Sequence, residues 1–301
     1  MDKARTAGSA ASPGRRLRQA WEAQTIAIPG VFNAAVARMA ERLGFRAVYL
    51  SGAALSAAAG VPDVGILSLT EFVDQARTIA PATTLPLLCD ADTGFGEALN
   101  VERTVRLFES AGAAGIHLED QQMPKRCGHL SGKQLVEPAV MAAKLRAAVA
   151  ARRDPDFVII ARTDARGVSG LDDAVRRARL YVDAGADAVF PEALESADEF
   201  ATFAREVRAP FLANMTEFGR SPNLDVATLG AMGYRLVLFP LTAFRAALRA
   251  AQETLAEIRQ LGHQRQSLGR MLTRAELYDL LGYSDFEARD RAYFEPGQAT
   301  T

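Results

Sequence analysis

The chain repeats one plan four times: a helix-forming stretch, a glycine, a short apolar run, then a polar or otherwise special residue. The copies are GFRAVYLS (44–51), GAAGIHLE (112–119), GADAVFPE (185–192) and GYRLVLFP (233–240). Glycine suits the left-handed residue just past a helix C-terminus, and the Val-, Ile-, Leu- and Phe-rich run after it has the length of a buried strand. Three further runs, TTLPLLCD, PDFVIIARTD and APFLANMT, each open with a proline, expected at a strand's first residue where a missing N–H costs little. TIAIPGVFN (25–33) brings the number of strands to eight. Between them AAVARMAERL, VERTVRLFESA, AVMAAKLRAAVAA and DDAVRRARLYVDA space apolar residues three and four apart, as helices do. Alternating strand and helix predicts parallel strands joined by right-handed crossovers. Eight such units within about 250 residues predict an α/β chain of the (β/α)8 barrel type. A doubly wound open sheet is the rival, but it would bind its ligand after a glycine-rich first turn, and IPGVFNAA is a poor one.

The helical pattern continues beyond residue 242 through TAFRAALRAAQETLAEIRQL and TRAELYDLLG, more than one barrel helix requires. We expect a C-terminal helical extension that packs on another subunit. At the other end residues 1–14 are small, polar and basic, without the apolar core of a secretory signal; we expect a loose tail there and one domain over 15–301. Hydrophobic residues make up 49% and charged residues 24%, enough for a sizeable core. A net charge of −1, with both signs interspersed, leaves no footprint for nucleic acid or an acidic membrane. No apolar run approaches the roughly 20 residues that cross a bilayer. The two cysteines, Cys89 and Cys127, form no disulfide framework, as expected of a cytoplasmic protein.

Catalytic groups in such barrels gather at the C-terminal strand ends. Here those ends carry Ser51, Asp90 and Asp92, Glu119 and Asp120, Arg162 and Asp164, Glu192, and Asn214 and Thr216. A rim serving stability alone has no use for so many ionisable side chains, so we read an enzyme. In DADTGFG two carboxylates stand two residues apart, and with Glu119 they offer hard oxygen ligands to Mg²⁺ or Mn²⁺. The same acids could instead cap helices or pair with Arg162. The histidines His117, His129 and His263 show no zinc-ligand spacing. Arg162 interrupts an apolar strand, and a buried guanidinium needs anions: Glu192 for one, a substrate carboxylate for another through bidentate pairing. A purely structural ion pair is the alternative. Cys89 reads as a packed thiol. Cys127 sits in PKRCGHLSGK, where Lys125, Arg126 and His129 are expected to lower its pKa and Gly128 and Gly132 to let a loop close over a ligand. An incidental surface cysteine is the competing reading.

PKRCGHLSGK, together with LLCDADTGFG, HLEDQ, FVIIARTDA, FPEA, LANMTEFG and FPLTAFR, resembles the isocitrate lyase/phosphoenolpyruvate mutase superfamily over nearly the whole chain. The resemblance implies Mg²⁺-dependent cleavage of (2S,3R)-2-methylisocitrate to pyruvate and succinate, the last step of the methylcitrate cycle of propionate breakdown. It implies a barrel whose eighth helix swaps between subunits of a homotetramer, acting on a small carboxylic acid. Carried over position by position, it makes Asp90 the main metal ligand and Asp92 a second, with Asp63 and Glu119 acting mostly through water. Ser51, Gly52 and Ala53 would bind the pyruvate half, and Gly128, His129, Glu192, Asn214, Met215 and Thr216 the succinate half. Arg162 would steady the alkoxide, Arg245 and Arg274 would add substrate contacts, and Tyr49 would handle the hydroxyl proton. Cys127 would protonate the carbanion.

Some relatives carry three glycines where this chain has Ser51-Gly52-Ala53, and the segment on to Asp63 is one residue shorter here. The inserted elements of isocitrate lyases proper are absent, which argues against isocitrate. The competing functions are another lyase or decarboxylase, acting on dimethylmalate or oxaloacetate, and a carboxyphosphonoenolpyruvate phosphonomutase. A non-catalytic metabolite-binding barrel comes last.

Overall fold

The computed structural model describes residues 11–294. Eight strands alternate with helices: β1 (Ile26–Pro29), β2 (Val48–Leu50), β3 (Leu87–Asp90), β4 (Gly115–Glu119), β5 (Val158–Thr163), β6 (Ala188–Pro191), β7 (Leu212–Asn214) and β8 (Leu236–Phe239). Every one lies inside a run read as a strand. The helices are α1 (Pro13–Ala23), α2 (Ala34–Arg42), α3 (Gly52–Ala58), α4 (Leu69–Ile79), α5 (Ala98–Ser110), α6 (Pro138–Ala151), α7 (Leu171–Asp183), α8 (Ala197–Glu206), α9 (Val226–Ala231), α10 (Thr242–Leu261), α11 (Arg274–Leu281) and α12 (Tyr283–Phe294).

All pairings are parallel, in the orders β2-β3-β4-β5-β6 and β1-β8-β7. Single parallel bridges, Gly30 to Tyr49 and Val189 to Phe211, lie at the two seams between these groups. The chain therefore has an α/β fold with parallel sheet. Gly44, Gly112, Gly185 and Gly233 have φ between 82° and 102°, which ends each preceding helix as the repeat predicts. The prolines stand just before the strands rather than first in them. Pro86 and Pro210 still offer carbonyls to Val48 and Val189 N–H groups, so the ladder loses nothing.

Strand residues alternate between two buried layers, as a period of two requires. Ile28, Tyr49, Leu88, Ile160, Phe190, Leu212 and Leu238 share one cluster with Leu17 and Trp21 of α1. Val48, Leu50, Leu87, Cys89, Ile116 and Ile159 face the other way, into the flanking helices. The first ten residues of the expected tail lie outside the described residues, but α1 already begins at Pro13, with Ser12 Oγ accepting from the Arg15 N–H. At the far end α11 folds back on α2 through Arg42 with Asp279 and Arg38 Nη1 to the Leu281 carbonyl at 3.2 Å. Helix α12 buries no residue, and Phe286, Tyr293 and Phe294 are exposed.

Candidate active site

Residues just past the strands converge on one cavity of about 50 Å³, lined by Tyr49, Asp90, Cys127, His129, Arg162 and Glu192 among others. Ser51, Ala53, Asp63, Gly128, Asn214 and Thr216 complete much of its wall. Asp90 is anchored from two sides: Gly52 N–H donates to Oδ2 at 3.0 Å and Asp92 N–H to Oδ1 at 3.0 Å. A Cβ on Gly52 would lie 2.8 Å from that Oδ2, so the chain can approach the carboxylate only as glycine.

The acids surround Lys125, which is 3% exposed. Its ammonium pairs with Asp63 and, at 2.7 Å, with Asp92. Burial, then the Asp90 charge, pushes the Asp92 carboxyl up to about 7. Burial likewise raises Glu119 well above the usual carboxylate range, against the pull of Arg162 and Lys125. Burial also opposes the ionisation of Asp90, but the Lys125 and Arg162 charges and the Asp92 N–H prevail and hold it low. Among the described residues no three His, Cys, Asp or Glu side chains form a ready-made metal cage. Yet Glu119 Oε1 has no partner, and Asp92 Oδ1 and Glu119 Oε2 each meet a single cation, Lys125 at 2.7 Å and Arg162 at 3.1 Å. Buried carboxylate oxygens short of donors are a donor set that fits a hard divalent cation.

Arg162 links two groups of acids. It makes paired bonds to Asp164 at 3.0 and 3.1 Å, and lies 3.1 Å from Glu119 and 3.6 Å from Glu192. Glu192 is held far below the usual carboxylate range: Arg162 and His129 outweigh the burial that would raise it. Asn214 Nδ2 donates to both Glu192 oxygens, at 3.3 and 3.2 Å. His129 Nε2 lies 2.8 Å from Glu192, while its Nδ1 accepts the Arg220 N–H at 3.0 Å. That acceptor role leaves the proton on Nε2, facing the carboxylate. A Cβ on Gly128 would fall 2.5 Å from Arg162 Nη2, so this loop can lie against the arginine only as glycine.

The basic neighbours do not lower the Cys127 pKa. Burial raises it instead. Lys125 turns to the acids, the Arg126 guanidinium turns to the Ser131 carbonyl, and His129 is committed to Glu192. The thiol is thus kept protonated, suited to giving up a proton rather than to attacking as a thiolate.

Three residues expected in the site lie elsewhere. Arg245 is held by the Glu217 carbonyl at 2.7 Å and carboxylate at 3.0 Å, outside the cavity lining. Arg274 opens α11 and is exposed, outside the cavity lining. Met215 points into the outer core, with its sulfur 3.4 Å from the Leu224 N–H. Conversely, His117 was not singled out for the site. Its Nε2 lies 2.8 Å from the Tyr49 hydroxyl, and the rings stack at 5.8 Å. Burial lowers its pKa, so it is a neutral acceptor beside a phenol that burial keeps protonated. Its alternation with Glu119 on β4 was the available signal.

A parallel α/β fold, with a thiol, a paired arginine and a ring of acids at its strand ends, defines an enzyme of the α/β class. Residues 15–259 match the family model described as phosphoenolpyruvate phosphomutase, and the chain belongs to that family. It is 54% identical over 279 residues to a 2-methylisocitrate lyase of Aeropyrum pernix, covering 92% of this chain and 90% of that one. Among solved structures, a 2,3-dimethylmalate lyase of the PEP mutase/isocitrate lyase superfamily matches with a TM-score of 0.88 at 33% identity, covering 97% and 99% of the two chains. A phosphonopyruvate hydrolase complexed with oxalate and Mg²⁺ matches at 0.86 and 34% identity, covering 95% and 100%. The superfamily read from PKRCGHLSGK is the one the chain belongs to.

Proposed function

We propose that this chain is a carbon–carbon lyase that cleaves (2S,3R)-2-methylisocitrate to pyruvate and succinate, in the methylcitrate cycle of propionate breakdown. The observation that carries the substrate is the 54% identity, over nine-tenths of both chains, to a relative named for that activity. The dimethylmalate lyase is 33% identical.

Mg²⁺ is the cofactor in this reading, held by Asp90 with Asp92, Asp63 and Glu119 at hand. When bound it polarises the oxygen on which negative charge develops. The rest falls to the chain's own residues. Ser51, Gly52 and Ala53 take the pyruvate half, and His129, Glu192, Asn214 and Thr216 take the succinate half. Arg162, bonded to Asp164 through Nε and Nη2 and 3.1 Å from Glu119 through Nη1, has further N–H donors on its two terminal nitrogens for the substrate oxygen. Tyr49 takes the hydroxyl proton as it passes its own to His117 Nε2 at 2.8 Å. The carbon–carbon bond then breaks as the carbonyl of pyruvate forms, and its electron pair stays on the succinate carbon. Cys127, protonated in the resting site, donates its proton to that carbon.

The two seam bridges and the two-layer alternation support a closed (β/α)8 barrel, with 15–301 as one domain. The exposed apolar residues of α10 to α12 support a homotetramer with a swapped eighth helix. In that assembly Arg245 and Arg274 have a route to a substrate. No helix among the described residues is long and apolar enough to cross a membrane, which agrees with a cytoplasmic enzyme.

The test is incubation with Mg²⁺ and a panel of 2-methylisocitrate, 2,3-dimethylmalate, oxaloacetate and a phosphonate acid, following pyruvate release. Turnover of another acid with none on 2-methylisocitrate would overturn the assignment.

A further inference from the structure

Lys133 has no part in the chemistry above, yet its side chain is only 1% exposed. An ammonium is buried only with partners, because a lone buried charge is costly. Lys133 has two. One is Asp164 Oδ1 at 2.8 Å; the other is the carbonyl of Gly128, the residue after Cys127.

Each partner belongs to a different body. Asp164 is part of the framework: its N–H donates to Asp120 Oδ1 at 2.9 Å, and Asp120 Oδ2 accepts from Thr163 and Tyr181, both at 2.8 Å. Asp164 also fixes Arg162 through two bonds, one of them to the same Oδ1 that receives Lys133. Gly128 is part of the loop, and its Cα hydrogen side packs against Arg162 and Glu192 with no room for a Cβ. The stretch is also held by His129, whose Nε2 lies 2.8 Å from Glu192 and whose carbonyl accepts from Arg220 Nε at 3.2 Å, and by Arg126, whose N–H donates to Gln121 Oε1 at 2.9 Å, but none of these contacts reaches Asp164. Lys133 therefore joins the peptide beside the thiol to the carboxylate that orients the arginine.

We propose that Lys133 is a positioning residue: by bridging the Gly128 carbonyl to Asp164, it holds Cys127 at the site in register with Arg162. The inference rests on the reading of Cys127 as the proton donor. It makes loop seating and arginine orientation one event, since both depend on a shared carboxylate. Gly167 borders the slot: a Cβ there would lie 3.3 Å from the ammonium.

The test uses the full chain without substrate. Cys127 is alkylated with iodoacetamide and the modified peptide is followed by mass spectrometry, with the fully buried Cys89 as internal control. In Lys133→Met, which keeps length and loses the charge, Cys127 alkylation should be about tenfold faster, because the loop opens more often. In the lyase assay kcat should fall roughly 10²-fold, the scale of a small misplacement, while KM moves far less. Wild-type alkylation and wild-type kcat, even with a lowered melting temperature, would show a merely structural lysine and overturn the proposal. Should Lys133→Met fail to fold, Lys133→Arg keeps the charge but shifts it off the carbonyl, and the same two readouts decide. A wild-type protein inactive on 2-methylisocitrate sinks the functional reading but leaves the alkylation measurement to judge Lys133.

Discussion

The two ends of the strands hold their charges in opposite ways. At the N-terminal end, Asp187 has every oxygen answered: Arg18 and Arg152 approach at 2.8 Å each, and the Ile159 N–H donates at 2.9 Å. Arg18 also donates to the Asp156 carbonyl at 2.9 Å, tying α1 down. At the C-terminal end, Asp92 and Glu119 are pushed toward protonation, and Glu119 Oε1 has no partner, Arg162 reaching only the other oxygen. Charges that serve the fold are neutralised within it. Charges left short of partners mark the end where a ligand is awaited.

That contrast can be broken most severely at Cys127. Replacing it by Ser should lower kcat on the order of 10²–10⁴-fold, the usual worth of a general acid, with Mg²⁺–pyruvate binding by calorimetry little changed. Near-normal turnover would remove the thiol from the mechanism. Asp90→Ala comes next: it frees the Gly52 and Asp92 N–H groups as well as the acid, so the Mg²⁺ concentration for half-maximal activity should rise steeply. An unaltered metal dependence would refute the cation assignment.

The N-terminal end should answer in stability alone. A side chain on Gly14 would run into the Asp156 carbonyl. Gly14→Val should therefore destabilise by about 1–3 kcal/mol, as overpacking does, and leave kcat per folded molecule unchanged. A matching loss of kcat would mean that the two ends are coupled. The finest test is pH. Because burial raises the Cys127 thiol, the protonated acid persists through neutrality, and kcat should fall only above the ordinary thiol range of about 8.5. A fall beginning near neutrality would contradict the buried, protonated thiol.

Much of this was legible in the chain. Short apolar runs mark all eight strands, and a glycine closing the preceding helix marks four of them, because strand burial and left-handed caps are local demands. Arg162 and Glu192 stood out as charges in apolar runs. Cys127 stood out through its basic neighbours, yet its pKa direction was misjudged, since proximity in sequence does not say where Lys125 or His129 points. His117 shows no metal-ligand spacing, and only its alternation with Glu119 on β4 marks it as facing the site. Lys133 lies in the same motif, but only the fold buries it and brings Asp164 to it.

By itself the sequence determined the alternation of elements, the strand positions and the residue types at the strand ends, all of which follow from short-range backbone preference and periodicity. Only the tertiary structure decided which charges meet. Lys125 among the acids, His129 on Glu192, and Lys133 between Gly128 and Asp164 depend on distances between segments far apart in the chain, and on how completely burial removes water from them.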